Sequence, residues 1–258
     1  MVVGIEKFSE YFSGYEGSYV LIGGAASNLI EESNLLVPRA TKDLDLILVV
    51  EALTDSFVSR FWQFIREAGY VHKQRGTEKT EFYRFCQPKN ASFPFQIELL
   101  SRKPDIISLP DDIVIGPIPT GEELSSLSAI MLDDDYYYFT IEHSDIVHNV
   151  HIAKSEALIC LKAKAYLNLR ASKEAGQFVN SGDITKHKND VIRLGTTLFP
   201  DVTYQLPESI RKDLTAFFYK VVDDLPHDDF LTRAGIPEEL TVQSILGIIK
   251  ETLLQTSS

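Results

Sequence analysis

Two patterns of hydrophobic and polar residues divide this chain. Up to residue 153, short apolar or alternating runs typical of strands occur among segments with helical spacing. After residue 153 only helical spacing is found, over 155–171, 183–198, 207–222 and 239–254. The predicted strands are 19–22, 44–50, 81–86, 93–100, 113–115, 136–139 and 146–152, and the early predicted helices are 5–17, 25–32 and 55–68. The sequence therefore predicts an α+β fold, with a domain of mixed helices and strands over 1–153 and a helical bundle over 154–258.

The composition is that of a globular protein without a membrane segment. Of the 258 residues, 44% are hydrophobic and 24% are charged. No apolar run reaches the ~18–20 residues that span a bilayer. Glu6, Lys7 and Glu10 interrupt the start of the chain, which therefore lacks the core of a signal peptide. Two cysteines, Cys86 and Cys160, cannot form a disulfide framework or a zinc site by themselves. We therefore expect a cytoplasmic protein that does not contact membranes.

Charge is unevenly distributed along the chain. The net charge is −12, with 37 acidic and 25 basic residues, which disfavours general nucleic-acid binding. Residues 154–193 contain eight bases and four acids, so that this stretch is +4 and the rest of the chain is −16. This basic stretch is either a set of solvated helix faces or a local site for an anion.

A glycine pair follows the first predicted strand. The run Val20-Leu-Ile22 leads through Gly23 and Gly24 into a predicted helix that carries Ser27. Glycine lets an anion approach the backbone closely, and the start of a helix offers free N–H groups with positive dipole character. The pattern indicates a phosphate site, although a tight turn gives the same pattern.

Two aspartates stand at the head of a strongly apolar strand. Asp43 and Asp45 precede five uninterrupted aliphatic residues, 46–50. Strand alternation puts both carboxylates on one face, with Cα atoms about 7 Å apart. Close carboxylates repel each other, and a divalent cation such as Mg²⁺ removes that repulsion. The alternative is a polar strand entry with two solvated acids.

Glu98 is a third candidate carboxylate. It is the one acidic residue within the apolar segment 93–100. If the strand of Glu98 neighbours the strand of Asp43, all three carboxylates share one face. An outward-facing, solvated glutamate is the alternative.

These motifs together resemble the DNA polymerase β-like nucleotidyltransferase superfamily, and within it the AbiEii-type toxin branch. The resemblance rests on Gly23-Gly24, Arg39, Thr41, Asp43, Asp45 and Glu98, and it covers most of residues 18–195. A looser second block lies in the helical part, in the helix segment 156–165, Arg170 and the segment 186–190. The resemblance implies a nucleotidyltransferase-like mixed sheet with flanking helices, followed by the helical bundle.

The resemblance also implies an activity. Such proteins move a nucleoside monophosphate from an NTP to an acceptor hydroxyl, here on tRNA or on a protein, and the branch implies a toxin with a cognate antitoxin as partner. Asp43, Asp45 and Glu98 would be the catalytic residues and would hold Mg²⁺ or Mn²⁺ in two-metal chemistry. The implied nucleotide-binding residues are Gly23, Gly24, Ser27, Arg39, Lys162, Arg170 and Lys186.

Helix geometry selects among the basic residues. At about 100° per residue, Lys162 and Arg170 lie within about 80° of each other, whereas Lys164 points about 200° away from Lys162. Lys162 is therefore favoured over Lys164 as a nucleotide ligand. Lys186 and Asp190 share one helix face, so an ion pair within the helix is the alternative role for Lys186.

Two other functions compete with the transferase. One is a catalytically inactive nucleotidyltransferase-like protein that binds or regulates. The other is a metal-dependent phosphohydrolase that uses an Asp-x-Asp pair, although in such enzymes the acids normally follow the strand.

Overall fold

The structure is a computed structural model, which describes residues 2–70, 82–100, 133–226 and 229–255. Within these ranges the strands are β1 (Tyr19–Ile22), β2 (Asp43–Leu48), β3 (Phe82–Cys86), β4 (Gln96–Leu100), β5 (Ser144–Val147) and β6 (Val150–Ala153). The early helices are α1 (Ile5–Tyr11), α2 (Gly23–Ser33) and α3 (Asp55–Ala68). The later helices are α4 (Asp134–Glu142), α5 (Ser155–Glu174), α6 (Ser181–Gly195), α7 (Glu208–Val221), α8 (Asp229–Arg233) and α9 (Val242–Leu253).

The chain divides into two compact units. The described parts of the sheet unit are 2–28, 39–70, 82–100 and 144–153. Those of the helical unit are 29–38, 133–143, 154–226 and 229–255. All the strands in the described ranges belong to the sheet unit, and α5 to α9 belong to the helical unit.

A mixed sheet with the strand order β3-β4-β2-β1-β6-β5 organises the sheet unit. β2 runs parallel to β4 and antiparallel to β1, and β3 pairs antiparallel with β4. On the other side, β1 runs parallel to β6, which forms an antiparallel hairpin with β5. All four residues of β1 are fully buried, as expected for a central strand. The predicted α+β class with a mixed sheet is confirmed.

An aromatic cluster forms the core of the sheet unit. Phe8 of α1 packs edge to face on Tyr19 of β1 and on Phe64 of α3. Phe61 of α3 contacts Phe85 of β3 at a ring-centroid distance of 5.6 Å. Because each such ring removes a large apolar area from water, these contacts fix α1 and α3 on the sheet.

Local signals determine the ends of α3. The Thr54 side chain accepts a hydrogen bond from the backbone N–H of Phe57, and Gly69 ends the helix at a φ of 64°. The helix over 55–68 was predicted with the same bounds, and it is confirmed.

Two strand predictions differ from the structure. The predicted strand 136–139 is wrong, because these residues lie in α4, whose first backbone N–H groups are capped by Asp133. The predicted strand 146–152 is instead the β5–β6 hairpin, in which His148 and Asn149 form the turn with φ values of 50° and 60°. The predicted strand 113–115 lies outside the described residues.

The helical unit is built around α5. The first nine residues of α5, from Ser155 to Ala163, are all buried, so this helix has no solvated face over its first two turns. It packs against α4, α6 and α7. A helix that is buried on all sides has no clear amphipathic pattern, and any charge that it carries needs a partner inside the unit.

Candidate active site

The start of α2 lies directly against the carboxylate of Asp45. Gly23 has a φ of +68°, and an ideal Cβ placed on it would lie 1.9 Å from Asp45 Oδ2. A side chain at position 23 would therefore overlap the carboxylate. Because Gly23 has no side chain, Asp45 can approach the backbone of the helix start. The phosphate site at this helix start stays a prediction.

The segment before β2 also contacts α2. An ideal Cβ on Gly24 would lie 3.0 Å from Thr41 Oγ1 and 3.4 Å from Arg39 Nη2. Asn28 Nδ2 donates a hydrogen bond of 2.6 Å to the carbonyl oxygen of Arg39. The structure thus brings Arg39, Thr41 and Gly24 together. The resemblance rests in part on these three residues, and it implies that Arg39 and Gly24 bind the nucleotide.

Ser27 has a structural partner in this arrangement. Its hydroxyl is buried and donates a hydrogen bond of 2.9 Å to the carbonyl oxygen of Gly23. The predicted role of Ser27 as a phosphate ligand stays a prediction.

The two aspartates and Glu98 lie on one face of the sheet. In β2, Asp43 and Asp45 are half-buried while Leu44 and Leu46 are buried, so alternation separates the acids from the apolar side chains. The parallel pairing of β2 with β4 sets Asp45 opposite Glu98. The strand of Glu98 therefore neighbours the strand of Asp43 and Asp45, which is the condition under which all three carboxylates share one face.

Glu98 has a cationic partner that the sequence reasoning missed. Arg84 of β3 lies opposite Glu98, and its Nη2 is 2.7 Å from Glu98 Oε1. Gln96 Nε2 donates to the same oxygen at 2.8 Å. The sequence signal was a single basic residue in the middle of the predicted strand 81–86, two positions before Cys86.

The oxygen donors at this face suit a divalent metal only in part. Asp43 and Asp45 offer the hard carboxylate oxygens that Mg²⁺ and Mn²⁺ prefer, beside a cradle at Gly23 that a Cβ would fill. Among the described residues, however, no three His, Cys, Asp or Glu side chains are grouped so that they could hold one ion. Asp43 and Asp45 have the donor chemistry of metal ligands, and their binding of an ion, like that of Glu98 as a third ligand, stays a prediction.

The predicted basic ligands belong to the helical unit. Lys162 is 2% exposed and its Nζ lies 2.6 Å from Asp190 Oδ2. Arg170 donates to the hydroxyl of Tyr166 at 3.0 Å and lies 3.6 Å from a carboxylate oxygen of Glu174. Their proposed contacts with a nucleotide, and that of the half-buried Lys186, stay predictions.

Most of the positive charge of the basic stretch is balanced inside the helical unit. Within the described residues, five of the eight bases between 154 and 193 form ion pairs there, namely Lys162–Asp190, Lys164–Asp213, Arg170–Glu174, Lys188–Asp224 and Arg193–Glu31. Arg193 shows the effect clearly: burial lowers its pKa, but the hydrogen bond and charge of Glu31 outweigh burial and leave that pKa raised. These pairs favour a structural role for the stretch over an anion site.

A cleft of about 550 Å³ lies near the end of α5 and the start of α6. Its lining includes Arg170 and Lys173 but also Glu174, Asp223 and Asp224. Because acids outnumber bases there, the cleft lacks the positive charge that a triphosphate site requires.

Comparisons with known proteins do not place the chain in a family. No protein-family model matches the sequence, and no curated protein matches it either. In the part of the chain that the structure describes, no helix is both long enough and apolar enough to cross a membrane. A functional proposal therefore rests on the geometry of the sheet face and on the motifs that meet there.

Proposed function

We propose that this protein is a metal-dependent nucleotidyltransferase, which moves a nucleoside monophosphate from an NTP to a hydroxyl group on tRNA or on a protein. One observation carries the proposal: the Asp45 carboxylate lies against Gly23 at the start of α2. This arrangement sets a metal-binding carboxylate beside backbone N–H groups that favour phosphate. Neither feature alone is specific, but a metal-bound triphosphate needs both.

Each residue at this face has a role in the proposal. Asp43 and Asp45 would hold a divalent ion, which would supply positive charge to neutralise the phosphates. The N-terminus of α2 binds phosphate oxygens, and Arg39 adds positive charge beside Gly24. The acceptor oxygen attacks the α-phosphorus, pyrophosphate leaves, and Glu98 receives the hydroxyl proton. Positioned charge is the main contribution that such a protein makes to phosphoryl-type transfer.

The test is transfer of label from each α-³²P-labelled NTP. The full chain is incubated with Mg²⁺ or Mn²⁺, with and without total tRNA. We expect label on tRNA or on the protein itself, and its loss in Asp43→Asn and Asp45→Asn. Glu51→Gln removes an exposed carboxylate just after β2 and is the matched control, which should retain transfer. Full transfer by Asp45→Asn contradicts the proposal, and so does release of phosphate without transfer, which supports the phosphohydrolase.

A second candidate function has one observation in its favour. Glu98 Oε1 lies 2.7 Å from Arg84 Nη2 and accepts a hydrogen bond from Gln96, so the oxygen that would receive the acceptor proton already has two partners. A protein that binds nucleotide without transferring it is consistent with that pairing. Binding of a fluorescent NTP that requires Asp45, in the absence of any labelled product, would support this candidate. The toxin role and the antitoxin partner stay predictions from the resemblance.

A further inference from the structure

One row of side chains crosses three neighbouring strands on the polar face of the sheet. β3 sets Arg84 opposite Glu98 of β4, and β4 sets Glu98 opposite Asp45 of β2. Neighbouring strands lie about 4.8 Å apart, so each member of this row is within reach of the next. Glu98 therefore lies between Asp45, a proposed metal ligand, and Arg84 in this row.

Arg84 occupies the position at Glu98 where a cation would bind. Its Nη2 lies 2.7 Å from Glu98 Oε1, and the two side chains are only 23% and 13% exposed. A guanidinium stays protonated at any pH at which the protein is folded, so its charge is permanent. A metal ion that used Glu98 would have to displace this cation or approach it closely, and two cations repel strongly in a partly buried site.

A second feature of Arg84 supports this role. Its Nε is buried and has no hydrogen-bond acceptor among the residues that the structure describes. The guanidinium is thus held by the carboxylate at Nη2 while one of its donors is left without a protein acceptor. A donor in that position suits an oxygen of an anionic ligand.

We propose that the site takes one divalent ion, held by Asp43 and Asp45, and that Arg84 supplies the positive charge at Glu98 in place of a second ion. This inference rests on the proposed function, because it concerns the metal content of the same site. Among the described residues, Asp43, Asp45, Glu98 and Arg84 together carry a net charge of −2, which a single divalent ion neutralises.

The test counts Mn²⁺ ions bound to the full-length protein without nucleotide, by electron paramagnetic resonance of the free ion and by calorimetry. We expect one Mn²⁺ per chain in the wild type and two in Arg84→Gln. The second ion should disappear in the double variant Arg84→Gln/Glu98→Gln. Arg66→Gln removes an exposed guanidinium from α3 of the same unit and should still bind one ion.

A single variant tests the inference even if Arg84→Gln does not fold. Because Glu98 is not a ligand of the first ion in this proposal, Glu98→Gln should lower the Mn²⁺ affinity only through the loss of one nearby negative charge. The loss should be clearly smaller than in Asp45→Asn, which should lower the affinity by about tenfold or more. An equal loss in both variants overturns the inference, as do two ions in the wild type or a single ion in folded Arg84→Gln. Unchanged Mn²⁺ binding in Asp45→Asn refutes the proposed metal site itself, so the two failures are distinguishable.

Discussion

Replacing Gly23 by alanine tests the closest contact in the candidate site. Two separate penalties act on the new methyl group. The backbone at position 23 has a φ of +68°, which L-residues with a Cβ rarely adopt. In addition, the methyl carbon would lie 1.9 Å from Asp45 Oδ2, so the carboxylate or the helix start must move.

The two penalties have known sizes. Holding a residue other than glycine in the left-handed region costs about 1–2 kcal/mol. Forcing extra volume into a packed site costs about 1–3 kcal/mol more. We therefore expect Gly23→Ala to lower the free energy of unfolding of the sheet unit by about 2–5 kcal/mol.

A second glycine separates the two penalties. Gly14 has a φ of +85°, but its ideal Cβ has no described heavy atom within 4 Å, so Gly14→Ala carries the backbone cost alone. The expected loss for Gly14→Ala is about 1–2 kcal/mol. Urea denaturation followed by the fluorescence of Trp62 measures both variants, because this single tryptophan is buried in α3 of the same unit.

Removing the Asp45 carboxylate tests whether it is the group that the methyl group of Gly23→Ala contacts. In an Asp45→Ala background, Gly23→Ala should lose its steric component and cost about as much as Gly14→Ala, a coupling of about 1–3 kcal/mol in the double-mutant cycle. If Gly23→Ala costs no more than Gly14→Ala in the wild-type background, Asp45 does not lie against the start of α2, and the central observation behind the proposed function fails.

Three other expectations concern the helical unit. Lys162→Met should lower the free energy of unfolding by about 3–5 kcal/mol, because it breaks the buried ion pair between Lys162 and Asp190, and adding Asp190→Leu should recover most of the loss in urea melts followed by circular dichroism. Asp133→Ala should cost about 0.5–2 kcal/mol in the same assay through loss of the α4 cap, and no loss would contradict the capping role. Burial raises the pKa of the Cys160 thiol, so in Cys86→Ser Ellman's reagent should label no thiol until guanidinium unfolds the chain; labelling of the native variant would refute that burial.

Periodicity was a reliable guide where one face of an element meets the core. The apolar positions of α3 repeat at helical spacing, and the run 44–48 is apolar because β2 lies inside the sheet. The same reasoning failed at 136–139, where tyrosine has a strand preference but an aspartate cap and burial within the helical unit stabilise α4 instead. Intrinsic preference is weak compared with tertiary contacts, and a single capping residue can decide between the two structures.

The candidate site was predictable as a set of residue types, but its pairings were not. Alternation alone indicates that Asp43 and Asp45 share a face. The partners of Glu98 and Lys162 come from other elements, Arg84 on another strand and Asp190 on another helix. Such partners depend on strand register and helix packing, which a local pattern does not contain.

These pairings change what the basic residues imply about function. In the sequence, the excess of bases over 154–193 left two interpretations open, solvated helix faces or an anion site. Within the described residues, five of the eight bases instead form ion pairs with acids of the helical unit. Among the described residues, Arg84 is the basic residue that lies beside the row of acids, and it is outside that stretch. In the proposed function, a phosphate site would therefore take its positive charge from the start of α2, from Arg39 and from a metal ion, and activity should follow the integrity of the Gly23–Asp45 contact more closely than that of the basic helices.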